Sequence, residues 1–134
     1  MNHLDTSFLV DLLRETAKGS DGPARRKLAS LAEEELWVSV HVACELTAGA
    51  ELSRDPEVER AKVDTLLGSI QIAYPDDRFA PAYGRMLAWL RRRGDTIATM
   101  DLLIATAAIV DSAPIVTRNT KHFRRVPGLE VIDY

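Results

Sequence analysis

Apolar residues along this chain follow two alternating rhythms. Short β-favouring runs at Asn2–Leu4, 36–40, 70–74, 114–117 and 129–133 are separated by stretches where apolar residues recur every three or four positions. Phe8, Leu9, Leu12 and Leu13 share one face of a helix over 6–13. The 19–22 segment, with a glycine at each end, breaks the chain, and Pro23 opens a second helix carrying Ala24, Leu28, Leu31 and Ala32. A third helix is expected over 41–52. A fourth begins at Pro56, with Val63, Leu66, Leu67 and Ile70 on one face. Phe79, Tyr83, Met86, Leu87 and Leu90 give the clearest stripe, closed by Arg91, Arg92, Arg93 and Gly94. Residues 100–110 are apolar almost all round, as a buried helix is, with Thr99 as the expected N-cap.

Strands that alternate with helices imply a parallel sheet covered on both faces and joined by right-handed crossovers. The expected class is α/β, a three-layer α/β/α sandwich with a mainly parallel sheet of about five short strands. The polar Asn2 and His3 make the first strand short, and the last is expected at an edge. No repeat or linker divides the chain, so residues 1–134 are expected to form one domain.

Composition narrows the class. With 46% hydrophobic residues in 134, the chain can bury a real core. No apolar run approaches the ~20 residues that span a bilayer, and no basic segment followed by an apolar one opens the sequence. A non-membrane, cytoplasmic protein is expected. The single cysteine, Cys44, excludes an internal disulfide, suits a reducing compartment and is expected to be a small buried helix residue. A net charge of −3 is not the footprint of a general nucleic-acid binder. The charges are segregated, however. Glu33, Glu34 and Glu35 form an acidic block, whereas Arg91–93 and the set Arg118, Lys121, His122, Arg124 and Arg125 are basic. Solvated helix ends account for such runs equally simply.

In an open parallel sheet the ligand site lies beyond the carboxyl ends of the strands. Asp5, Thr6 and Ser7 follow the first strand there, Glu45 lies in the helix after the second, and Asp101 opens the buried helix. Thr117, Arg118 and Asn119 follow the fourth strand. Each acid has a plainer reading: Asp5 and Asp101 as helix caps, Glu45 as a solvated helix residue. Together they make a different chemistry. Two carboxylates ~4 Å apart repel by about 4 kcal/mol at an effective dielectric of 20, so either their pKa values rise or a cation sits among them. All-oxygen ligands suit Mg²⁺ or Mn²⁺ rather than zinc, and a hard dication among carboxylates is equipment for phosphodiester hydrolysis.

The ordered set Leu4-Asp5-Thr6-Ser7, Glu45-Leu46, Asp101-Leu102-Leu103-Ile104-Ala105 and Val116-Thr117-Arg118-Asn119, followed by His122-Phe123, resembles PIN-domain ribonucleases. More narrowly it resembles the VapC-type toxins of toxin–antitoxin pairs. The resemblance implies an endoribonuclease that uses Mg²⁺, with Mn²⁺ as a substitute, to hydrolyse RNA by activated water, leaving 5′-phosphate and 3′-hydroxyl ends. It assigns Asp5, Glu45 and Asp101 to the metal and Asn119 to the catalytic set. Thr6, Thr117, Arg118, Lys121, His122, Arg124 and Arg125 fall on the substrate side. It further implies a homodimer and a cognate VapB-like antitoxin. Asn119 stands where many relatives carry an aspartate, which makes this site one charge poorer.

Three other readings compete. A metal-independent ribonuclease would use His41 or His122 with Lys121. A phospho-accepting receiver or aspartyl phosphatase lacks its required lysine and its second acid, since Ser7 stands two residues after Asp5. A catalytically weakened PIN-fold binding module is the reading that Asn119 favours.

Overall fold

A computed structural model describes every residue from Met1 to Tyr134. Along the chain run β1 (Asn2–Leu4), α1 (Thr6–Lys18), α2 (Pro23–Ser30), β2 (Leu36–Ser39), α3 (Val40–Glu51) and α4 (Pro56–Leu67). Then follow β3 (Gln71–Ala73), α5 (Phe79–Arg92), α6 (Thr99–Val110), β4 (Ile115–Val116), α7 (Thr120–Phe123) and β5 (Val131–Ile132). The strands pair in the order β3-β2-β1-β4-β5, and every pairing is parallel. This is the α/β class that the alternation predicts, a helix-flanked parallel sheet with β5 at one edge. No helix is long and apolar enough to cross a membrane.

Local chemistry explains the element ends. α1 outlasts its apolar stripe by five residues: Arg14, Glu15, Ala17 and Lys18 are good helix formers, and Glu15 accepts from the Ala24 and Arg25 N–H groups at the start of α2. Gly19 then stops it at φ 63°, a left-handed conformation that glycine adopts without strain. Ser39 caps α3 by accepting from the Val42 N–H, and Asp55 caps α4 through Val58. α6 begins one residue earlier than its pattern suggests. Ala98 takes the N-cap position that Thr99 was expected to fill, and no side chain caps it.

The core joins β1, β2 and β4 to α1, α3 and α6, with Leu4, Phe8, Val38, Val42, Ile104, Ile115 and Phe123 at its centre. β1 is the middle strand, so its polar residues are buried and need partners. Asn2 Nδ2 donates to Glu34 Oε2 at 2.9 Å, and His3 Nε2 lies 2.7 Å from Asp111 Oδ2. Cys44, expected inside, is exposed. The buried residues of α3 are Val42, Leu46 and Ala50, and residue 44 falls off that four-residue stripe.

The chain leaves β1 for β2 on one side, yet β4 joins β1 on the other. The strand order therefore reverses beside β1, where a crevice forms at the carboxyl ends of an open sheet. Asp5 follows β1 and Thr117 follows β4 at that place.

Candidate metal centre

Asp5 occupies the N-cap position of α1 in extended backbone geometry, but its side chain caps nothing. Its N–H donates to the Val116 carbonyl, and its own carbonyl accepts from Phe8 and Leu9. The backbone is thereby fixed between sheet and helix. Its carboxylate accepts on Oδ2 from Ser7 Oγ (2.8 Å) and Thr117 Oγ1 (2.7 Å), and no hydrogen bond reaches Oδ1. Thr117 is fully buried and in turn accepts from the Asn119 N–H at 2.9 Å.

Glu45 projects from α3 towards the same strand end. Thr6 Oγ1 donates to its Oε1 at 2.7 Å, leaving Oε2 without a hydrogen bond. Asp101 lies in the first turn of α6 and its carboxylate accepts no hydrogen bond; the His122 ring lies beside it, Nδ1 4.0 Å from Oδ2. Burial pushes the Asp101 carboxyl above its ordinary range, the negative charges of Asp5 and Glu45 push it further, and His122 opposes them. Asp5 and Glu45 thus both act on Asp101, and neither Asp5 nor Asp101 serves as a helix cap.

No group of three or more His, Cys, Asp or Glu side chains converges tightly enough to enclose a metal ion. The donor set nonetheless fits a hard dication. Mg²⁺ keeps several waters and binds through one or two carboxylates plus substrate phosphates, so a closed protein cage is not required. Asp5 Oδ1, Glu45 Oε2 and the Asp101 carboxylate are oxygens of that kind, each free of competing hydrogen bonds.

The basic residues divide by location. Lys121, His122 and Arg124 are exposed on or just after α7, and His122 shares an open crevice with Asp101, Thr96 and Arg125. Arg125 spends one donor on the Thr96 carbonyl at 2.7 Å. Arg118 turns away to Asp11, on α1. Asn119 is exposed and its side chain makes no hydrogen bond. His41 stacks on Phe79, with ring centroids 5.4 Å apart, and lines a different crevice from His122.

The PIN domain family model matches residues 3–129. This chain belongs to the PIN-domain family. The PIN-domain chain is 35% identical over 92 residues to ribonuclease VapC2 of Rickettsia felis, covering 69% of each. It is 31% identical over 131 residues to the tRNA(fMet)-specific endonuclease VapC of Shigella flexneri, covering 98% of this chain and 96% of that one. Among solved structures, VapBC2 of Rickettsia felis bound to a promoter DNA fragment superimposes with a TM-score of 0.90 at 30% identity, covering 99% of this chain and 98% of that one. The chain is thus a PIN domain of the VapC type.

Within this PIN domain, Thr6 and Thr117, expected on the substrate side, bond to Glu45 and Asp5. Ser7 grips Asp5 from within the same turn of chain, and its position two residues after the acid was a usable signal. Asp11 and Tyr134 carried no such signal, because their partners lie more than a hundred residues away in sequence.

Proposed function

We propose that this chain is the endoribonuclease toxin of a type II toxin–antitoxin pair, acting with a divalent ion, Mg²⁺ or Mn²⁺, held by Asp5, Glu45 and Asp101. One observation carries the reading. Asp5 Oδ1, Glu45 Oε2 and the Asp101 carboxylate are all without hydrogen-bond partners, and burial with the charges of Asp5 and Glu45 disfavours ionised Asp101, a cost that a bound dication would relieve. When bound, such an ion supplies positive charge for the scissile phosphate and a water acidified towards neutrality.

The chain's own residues do the rest. Thr6, Ser7 and Thr117 hold the carboxylates with one oxygen turned to the site. Lys121, His122 and Arg124 track the RNA phosphates beside Asp101, so local positive potential serves an acidic protein. The named activities of the Rickettsia and Shigella relatives support ribonuclease chemistry, and the VapBC2 assembly supports an antitoxin partner. A homodimer in the cytoplasm completes the proposal.

The test is end-mapping of RNA treated with purified protein in Mg²⁺ and in Mn²⁺, against Asp5→Ala. Transfer RNA is the first substrate to try, given the Shigella relative's name. Cleavage by wild type alone, abolished by EDTA and leaving 5′-phosphate ends, supports the reading. Equal cleavage by both proteins overturns the site. Divalent binding without cleavage of any RNA would favour the weakened binding module, the reading to which Asn119 lends itself.

A further inference from the structure

One carboxylate stands outside the acidic centre yet is almost as buried as Asp5, and more so than Glu45 or Asp101. Asp11, on α1, is 8% exposed, and a charge so enclosed needs partners on both oxygens. Arg118 Nη1 donates to Oδ1 at 2.8 Å and to Oδ2 at 3.0 Å, and the Tyr134 hydroxyl donates to Oδ2 at 2.6 Å. Arg14 adds a longer contact of 3.3 Å. The Tyr134 ring stands edge-on to the fully buried Phe8, with centroids 4.9 Å apart. Burial holds the Tyr134 phenol far above its ordinary pKa, and the Asp11 hydrogen bond and charge add to this, while Arg118 and Ser7 act in the opposite sense. It therefore remains a donor.

Arg118 directly follows Thr117, which holds Asp5. Its N–H donates to Ser7 Oγ at 3.2 Å, and Ser7 and Thr117 are the two hydroxyls that grip Asp5 Oδ2. A continuous set of contacts runs from Asp11 through Arg118 to Asp5.

We propose that Asp11 is a positioning residue of the metal centre, clamping the β4–α7 turn onto α1 through Arg118 and Tyr134 so that Ser7 and Thr117 hold Asp5 with Oδ1 open. The proposal rests on the metal-site reading above, and it takes the Arg118 guanidinium out of the RNA-tracking set. An ion pair that served stability alone would leave the metal indifferent, and the test turns on that difference.

Mn²⁺ binding to the RNA-free protein, read by the electron paramagnetic signal of the free ion, is compared in wild type, Asp11→Asn, Tyr134→Phe and Asp5→Ala. Groups that orient a metal ligand typically change affinity about ten- to hundredfold when removed. Asp11→Asn is expected to weaken Mn²⁺ binding within that range. Tyr134→Phe, which keeps the ring on Phe8, should move it in the same direction by less. In steady state kcat should fall for both while KM for an RNA oligonucleotide stays put. Should Asp11→Asn fail to fold, Tyr134→Phe decides alone. Wild-type Mn²⁺ affinity in the folded variants, alongside its loss in Asp5→Ala, overturns the clamp and leaves the metal centre standing. Undiminished affinity in Asp5→Ala as well overturns both.

Discussion

Asp5 and Glu45 share one device: a neighbouring hydroxyl occupies one carboxylate oxygen and leaves the other without a protein partner. Removing a hydroxyl should loosen the ligand without touching the substrate. Thr6→Val is expected to lower kcat about tenfold through weaker metal binding, with KM for RNA unchanged in steady-state assays. A second residue-scale expectation concerns pH. Burial lowers the pKa of His3 below its ordinary value, outweighing its hydrogen bond to Asp111 and that carboxylate's charge, and burial lowers His41 as well. The unfolded chain then binds protons that the folded chain refuses. The stabilisation is complete above the unfolded value of about 6.5 and is lost as pH falls below it. Urea midpoints should fall between about pH 7.5 and pH 5.5, and less so in His3→Gln. A flat profile in wild type would contradict the linkage.

At the scale of elements, α7 is the surface next to the acidic centre, and the Lys121 and Arg124 side chains on or just after it make no ion pair or hydrogen bond. Lys121→Gln and Arg124→Gln should each raise KM for RNA and reduce the slope of log affinity against log salt by about 0.7, the value for one contact to a single strand. An unchanged slope would place the RNA elsewhere. This helix was also the one the sequence concealed, since four residues at 120–123 are too few to show a period. The long helices were readable because a stripe such as Phe79, Met86 and Leu90 repeats over several turns. Their ends were less so. α1 continues past Leu13, where Glu15 accepts from the Ala24 and Arg25 N–H groups at the start of α2, and α6 starts at Thr99 rather than after it. Cys44 was misplaced for a related reason: apolar neighbours suggested burial, whereas the four-residue stripe of α3 runs through Val42 and Leu46.

Over the whole molecule, a ligand that binds only the folded state stabilises it by mass action. Mn²⁺ at a hundred times its Kd should add about 2.7 kcal/mol, a thermal shift of several degrees. The shift should vanish in Asp5→Ala. The α/β class and parallel sheet were legible in the alternation of patterns, and so were the acids that follow the strands. The strand order was not. Nothing in Asn2 and His3 announces a central strand, because their burial depends on Glu34 and Asp111, which are distant in sequence. Thr117's share of the grip on Asp5 was hidden for the same reason, since it lies at the far end of the chain.

The central place of β1 also sets an order of events during translation. Its neighbour β2 emerges early, but the other flank stays open until Ile115 and Val116 leave the ribosome, after Asp5, Glu45 and Asp101 have all been made. A nascent chain arrested before Ile115 carries all three acids and Ser7 but lacks the Thr117 hydroxyl, the second of the two that hold Asp5. Such a chain, its central strand paired on one side only, is expected to leave RNA intact, which truncation before Ile115 would test in a cleavage assay.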